Sequence, residues 1–540
     1  MGWRGEFLWV LLLLSSAVVD AQVHPVVETD AGSVRGSTVD GVSSFLSIPF
    51  AEPPEGDLRW RAPQPPQPWS GELQATNWPA PCPQEDDDHG AIGDEDCLYL
   101  NIWSPEDALP GSLPVMFFIH GGGNVEGSTS VVEVGTRLYE GDILAERGNV
   151  VVVTTQYRIG ALGYLVHPAL NSESPRGVSG NYGLLDQQAA LQWLQTNIAA
   201  FGGDPSRVLL FGESAGATNT MMQLVSPLAA GLFSRALMES GGATARPARQ
   251  RALEGLRFAE AVDCPSPSSA AICLRDRTPE ELVTAVDTIG FGETITHGIV
   301  TTQFGPTVDG WVLPEDPEEA IEGGRFNHVA FVVGANSDEM RVHVPELGQL
   351  GYEALVRIVM APWGQQAADR ALELYPVGPG GYATGTDAYA ALVSDPQFVC
   401  PTRRFASAAS NGQTEPVYRF LFSHGLHGLI FSPLGAFHGL ELFFVFQRLE
   451  DMTYYFPRAD DLELQSRILE LWTSFARDGV PATPGGPSWP IYNAENDPFM
   501  NLNSPLTTDE GLRTEKCDFW DTLLGQETVS PRRSVGRSAP

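Results

Sequence analysis

Short apolar runs bounded by glycine, proline and polar clusters recur along the chain and alternate with stretches of helical periodicity. The runs at 113–120, 149–156, 208–211, 329–334 and 415–422 read as strands. Residues 184–200 and 462–477 read as helices. In the second, Ile468, Leu471, Trp472 and Phe475 stand at i, i+3, i+4 and i+7, which makes one apolar face, and Gly479 supplies a stop. The stretch 23–50 is rich in valine, serine and glycine. With turn signals at Asp30-Ala31-Gly32 and Asp40-Gly41, it predicts a small β meander before a proline-rich loop. Strands alternating with helices imply an α/β protein with a mostly parallel sheet. With no internal repeat and no convincing linker, residues 22–525 read as one large domain. The acidic run 85–88 reads as a solvated loop and 526–540 as a flexible tail.

The first 21 residues stand apart. Arg4, an apolar run over 7–19, and Val19-Asp20-Ala21 before Gln22 have the layout of a secretory signal peptide. The run falls short of the ~20 residues that span a bilayer, which counts against the rival reading, an uncleaved anchor. The expectation is an exported protein, extracellular or periplasmic, without stable membrane insertion. Export makes the six cysteines (Cys82, Cys97, Cys264, Cys273, Cys400, Cys517) candidates for disulfides, although their number alone leaves the pairing open. No C-x-x-C pair or His-x-x-x-His spacing occurs, so no metal site is expected. A net charge of −35 excludes nucleic acid as a partner. It could steer cationic ligands, but a solvated acidic shell is the simpler reading.

The chemistry gathers at a few segments. Gly212-Glu213-Ser214-Ala215-Gly216 follows an apolar run and precedes a helical one, the setting of a G-x-S-x-G nucleophile elbow. Among 56 glycines such a match can arise by chance, so its context has to support it. That support comes from His120-Gly121-Gly122-Gly123, which follows the strand at 113–119 and suits an oxyanion loop, with Gly122, Gly123 and Ala215 as donors. A serine nucleophile then needs an acid and a histidine further along the chain. His438 lies in Gly435-Ala436-Phe437-His438-Gly439, ahead of an apolar run. An apolar strand ends in Asn336-Ser337-Asp338-Glu339, where position alone does not choose between the two carboxylates.

These segments resemble the type-B carboxylesterase/lipase family, which includes cholinesterases and bacterial para-nitrobenzyl esterases. The likeness covers nearly the whole mature chain. It includes Ile48-Pro49-Phe50-Ala51-Glu52-Pro53-Pro54, Glu95-Asp96-Cys97-Leu98-Tyr99-Leu100-Asn101, Tyr157-Arg158-Ile159-Gly160 and Asn181-Tyr182-Gly183-Leu184-Leu185-Asp186-Gln187. The resemblance implies an α/β-hydrolase fold and a Ser214, Glu339 and His438 triad that cleaves carboxylic esters through an acyl-enzyme without a cofactor. It also implies the pairing Cys82–Cys97, Cys264–Cys273 and Cys400–Cys517.

Departures from the family bear on substrate. The segment between Cys82 and Cys97 holds no Phe, Trp or Tyr, and Asn124 stands where an aromatic usually follows the three glycines. Met340 replaces a glycine, and Arg341, Val342 and His343 replace cholinesterase aromatics. Each lost cation–π contact removes ~0.5–2 kcal/mol from a quaternary ammonium. The expected enzyme is therefore a general carboxylesterase acting on small-molecule esters, with a cholinesterase as the alternative. A non-catalytic adhesion relative is a poor fit, because every triad position is filled.

Overall fold

In the computed structural model, which describes residues 24–86, 89–288, 293–296, 299–302 and 304–529, the apolar runs pair into an 11-stranded sheet. Its strands are β1 (Ser37–Val39), β2 (Val42–Pro49), β3 (Tyr99–Pro105), β4 (Leu113–Ile119), β5 (Val151–Thr155), β6 (Gly203–Glu213), β7 (Arg235–Glu239), β8 (Ala330–Asn336), β9 (Val417–Phe422), β10 (Pro498–Leu502) and β11 (Thr507–Glu510). They lie in the order β1-β2-β3-β5-β4-β6-β7-β8-β9-β10-β11. The run from β5 to β10 is parallel. Antiparallel strands close both edges.

Side chains alternate across this sheet, and both faces are covered. On β4, Val115, Phe117 and Ile119 enter one apolar cluster while Met116 and Phe118 enter another; on β6, Val208 and Leu210 part from Leu209 and Phe211 in the same way. One face packs against the helix Tyr182–Asn197 through Leu184, Leu191 and Leu194. The other packs against the helix Ala459–Asp478 through Ile468, Leu471, Trp472 and Phe475, and Gly479 ends that helix at φ +73°. Burial on both faces is why the central strands read as unbroken apolar runs.

Where sequence and structure differ, local causes are visible. The 149–156 run starts its strand only at Val151, because Asn149 adopts φ +50° and caps the helix Asp142–Gly148. The 23–50 stretch divides between two sheets. Val26–Glu28 and Ser33–Arg35 pair beside Glu72–Gln74, whereas β1 and β2 form an Asp40-Gly41 hairpin on the main sheet. The acidic run contributes a short hairpin, Gln84–Asp86 with Gly90–Ile92. Helices Gln349–Val359, Gln365–Leu374 and Gly385–Ser394 build a separate core with the C-terminal helix Thr514–Val529. Their buried positions mix alanines (Ala367, Ala368, Ala371, Ala388, Ala391) with Tyr352, Leu355, Val356, Tyr389 and Leu392. The C-terminal helix runs to Val529, into the segment assigned to a tail. The remaining tail and the 1–21 leader lie outside the described residues.

Three disulfides join Cys82 to Cys97, Cys264 to Cys273 and Cys400 to Cys517. Two of the quoted motifs prove to be partners. Arg158 donates to both carboxylate oxygens of Asp186, at 2.8 and 2.7 Å, and both residues are buried. No described helix is long and apolar enough to cross a membrane.

Candidate active site

β5 lies on one side of β4 and β6 on the other, so the chain reverses direction across the sheet between β4 and β6. Such a switch point opens a crevice at the carboxyl ends of the strands. Ser214 stands in that crevice, between the end of β6 and the helix Ala215–Val225, at φ +57° and ψ −122°. A non-glycine residue held there costs about 1–3 kcal/mol, supplied by its surroundings. The Ser214 amide donates to the Glu239 carbonyl on β7 at 2.9 Å. The flanking glycines are needed for close approach. A Cβ on Gly216 would lie 2.0 Å from the Ile119 carbonyl oxygen, and one on Gly212 would lie 2.6 Å from the Gly216 backbone.

The glycine loop leaves β4 beside this turn. A Cβ on Gly121 would meet Glu213 Oε2 at 2.9 Å and Ser214 Cβ at 3.1 Å, so the loop rests on the elbow. Gly122 and Gly123 both have positive φ, +94° and +60°. Among the described hydrogen bonds, the amides of Gly122, Gly123 and Ala215 donate to no group of the chain. Gly122 and Gly123 are half-buried, Ala215 is buried, and Gly123 and Ala215 line the same cavity as Ser214. His120 is not part of that set. It is buried, stacks on Tyr157 with ring centroids 4.4 Å apart, and burial lowers its pKa to about 4.

Glu339 follows the end of β8, and His438 sits on the loop after β9. His438 Nδ1 lies 2.6 Å from Glu339 Oε2, and the His438 amide donates to the Glu339 carbonyl at 3.1 Å. Glu339 Oε1 accepts from the Asn336 amide at 2.7 Å. The neighbouring carboxylate has a different task. Asp338 Oδ2 accepts from Ser337 Oγ at 2.5 Å and from the Ala436 amide at 3.1 Å, fastening the loop that carries the imidazole. The geometry thus separates the two carboxylates that position alone left equal.

Ser214, Ala215, Gly123 and His438 line one cavity of about 540 Å³. Within it, His438 Nε2 faces Glu213 Oε1 at 3.2 Å, and no hydrogen bond to Ser214 Oγ is among those described. Burial by itself would lower the imidazole pKa, but the charges of Glu213 and Glu339 and the bond to Glu339 outweigh it and raise the pKa to about 10. Two further buried carboxylates stand behind this pair. Glu239 accepts from Trp472 Nε1 at 3.1 Å, and burial together with the charge of Glu213 raises its pKa to about 8. Glu441 is held by Asn336 Nδ2 and is raised well above its ordinary value, by burial first and then by Glu213. Sequence reasoning gave no role to Glu239, Glu441 or Asn336; the last two stand three residues from His438 and Glu339, but their approach to one another is tertiary. It also missed Phe398, whose ring centroid lies 4.8 Å from that of His438. Among the described residues no three His, Cys, Asp or Glu side chains gather as a metal site would need.

Comparison with known proteins shows the family. Residues 23–520 match the family described as the carboxylesterase family. The chain is 37% identical to fumonisin B1 esterase of Sphingopyxis macrogoltabida, over 93% of this chain and 92% of that protein. It is 34% identical to acetylcholinesterase of Bungarus fasciatus, over 92% and 86%. A solved structure of PNB esterase superposes with a TM-score of 0.78 at 33% identity, covering 92% of this chain and 100% of that one. Similar to such proteins over more than nine-tenths of its length, the chain belongs to the carboxylesterase family and is a carboxylic ester hydrolase.

Proposed function

We propose that this protein is an exported serine carboxylesterase that works through an acyl-enzyme, with Ser214 as nucleophile, His438 as base and Glu339 as its orienting acid. The observation that carries the reading is the 2.6 Å contact between His438 Nδ1 and Glu339, in the cavity that Ser214 lines. That contact fixes the proton on Nδ1 and leaves Nε2 to act. For the attack, Nε2 exchanges Glu213 for Ser214 Oγ and takes the hydroxyl proton as Oγ bonds to the ester carbonyl carbon. The carbonyl oxygen gains its charge beside the amides of Gly122, Gly123 and Ala215. The carboxylates of Glu339 and Glu213 favour the imidazolium that forms, and it returns its proton to the departing alcohol. Water repeats the sequence on the acyl-enzyme and frees the acid.

The disulfides support export, since oxidising compartments permit them. The described lining of the cavity holds no aromatic cage for a choline cation. Phe398 is the one Phe, Tyr or Trp among its described lining residues, and Arg246, Arg251 and Arg404 line it as well. The deciding experiment combines Ser214→Ala with labelling by an organophosphonate. The native protein should be modified once, on the Ser214 peptide, and Ser214→Ala should lose about 10⁴-fold in kcat on p-nitrophenyl butyrate while keeping its Tm. An alanine variant that retained a tenth of the activity would remove Ser214 from the mechanism.

A further inference from the structure

A second cavity, of about 310 Å³, lies apart from the one that Ser214 lines, and the two share no lining residue. The short segment 306–312 runs between them. Pro306 lines the catalytic cavity, whereas Asp309, Trp311 and Val312 line the second. Asn181 pins this segment at Thr307, whose amide donates to Asn181 Oδ1 at 2.9 Å and whose carbonyl accepts from Asn181 Nδ2 at 2.8 Å. The walls of the second cavity are mostly apolar. Trp60, Leu170, Tyr182 and Val312 are buried in the chain and border it, beside the half-buried Trp311. A concave, largely apolar space of this size, with few polar groups at its edge, has the character of a small-molecule site.

The charged groups on these walls are matched within the chain, with one exception. Glu173 is shared by Arg61 and Arg275, at 3.4 and 2.7 Å. Asp309 accepts from the amides of Trp311 and Leu313 on one oxygen, at 2.8 and 3.0 Å, and from Asn181 Nδ2 on the other, at 2.9 Å. The exception is Arg176. It stands at the exposed edge of the cavity with its guanidinium over the Trp311 ring, 5.6 Å from the centroid. Among the described residues that guanidinium has no carboxylate and no hydrogen-bond acceptor. Five N–H donors above an apolar cavity suit a molecule with an apolar body and one anionic, acceptor-only end. A cationic amphiphile fits worse, because Arg176 already covers the face of Trp311 and would repel it.

We infer that this cavity is a second binding site, for a medium-chain carboxylate whose alkyl chain lies against Trp60, Leu170 and Val312 and whose head meets Arg176. The ligand class is one that the protein's own reaction releases, since hydrolysis of a carboxylic ester frees an acid. The overall charge of −35 repels anions at long range. Screened over about 8 Å at physiological ionic strength, that repulsion slows encounter, while the contact with Arg176 holds the bound head.

The test is titration calorimetry at neutral pH and physiological ionic strength, on enzyme whose Ser214 has been blocked with an organophosphonate so that the catalytic cavity is occupied. Octanoate should bind at one site per chain. From butanoate to octanoate, each methylene that enters the cavity should tighten Kd by about fourfold. Octanol and octyltrimethylammonium should bind about tenfold more weakly than octanoate, lacking the charge-assisted bond to Arg176. Arg176→Gln should weaken octanoate by about the same tenfold and leave octanol unchanged, and an exposed residue can be exchanged without risk to the fold. Val178→Trp, which fills the cavity from its half-buried wall, should remove the binding of both. No saturable binding of octanoate, octanol bound as tightly as octanoate, or a Kd indifferent to both substitutions would overturn the inference and leave the esterase reading intact. If the phosphonate fails to label Ser214, it is the esterase reading that falls, and the same titrations on the untreated protein decide this one.

Discussion

His438 lies between two carboxylates, Glu339 on Nδ1 and Glu213 on Nε2, and the balance of these contacts governs its proton. Its pKa is raised above the ordinary 6.5. The stabilisation from this cluster is therefore complete below 6.5 and is lost as pH rises through the raised value. In the proposed mechanism activity runs the other way, because only the neutral imidazole could accept the serine proton. The pH profile of kcat/KM should accordingly rise through an inflection above 6.5. Replacing Glu213 by Gln removes one neighbouring charge and should move that inflection downward, and any change in Tm that comes through His438 should be largest below pH 6.5. An inflection that stays in place would show that Glu213 does not bear on the base. The same residue was legible in the sequence only as part of the elbow. Its contact with a histidine on a distant loop depends on how that loop docks.

The loops that end β8 and β9 meet through a second carboxylate, which divides the work between adjacent residues. Asp338 holds the Ala436 amide, and Gly435 permits the approach, since a Cβ there would lie 2.6 Å from Asp338 Oδ2. Glu339 turns inward to the imidazole and is fully buried. Glu339→Gln should lower kcat by about 10⁴-fold, the cost of disturbing the tautomer of a triad histidine. Asp338→Ala should cost about 1–2 kcal/mol of stability, through the unpaired Ala436 amide, and far less in kcat. Thermal melts and initial rates on one neutral ester separate the two, and equal losses of activity would put the acid assignment in doubt. Alternation along the chain could not distinguish these neighbours. A short 3₁₀ turn beginning at Glu339 points consecutive side chains in unrelated directions.

Across the whole molecule, a net charge of −35 surrounds a cavity whose wall carries arginines. The two act over different ranges. Long-range attraction should speed the encounter of cations at low salt, but it is screened beyond about 8 Å at physiological ionic strength. Stacking against aromatic rings would survive salt, and Phe398 alone among the described Phe, Tyr and Trp residues lines the cavity. A thiocholine ester should therefore lose kcat/KM on adding salt more steeply than a neutral ester of the same acyl chain. In high salt the neutral ester should match or exceed it. A thiocholine preference above tenfold in high salt would reveal a cation site and restore the choline-ester reading.

The α/β class, the main parallel strands, the elbow, the glycine loop and the candidate histidine could all be read from the sequence, because each depends on short-range rules. Strands buried on both faces must be apolar throughout, and a turn in which Gly216 passes close to the Ile119 carbonyl cannot carry a Cβ. The resemblance to a family added the disulfide pairing and the choice of Glu339, and the structure has both the three bonds and the Glu339–His438 contact. What the sequence left unsettled are the features that need two or more distant segments at once. The helices between 349 and 394 build a core of their own only where they pack on the C-terminal helix. Glu213, Glu339 and Glu441 lie far apart in sequence, yet their charges act on one imidazole, and those of Glu213, Glu239 and Glu339 act on Glu441. Periodicity reports which face of an element is buried, but the separation of charges and donors in space is fixed by tertiary packing, and it is that separation which sets pKa values and substrate choice.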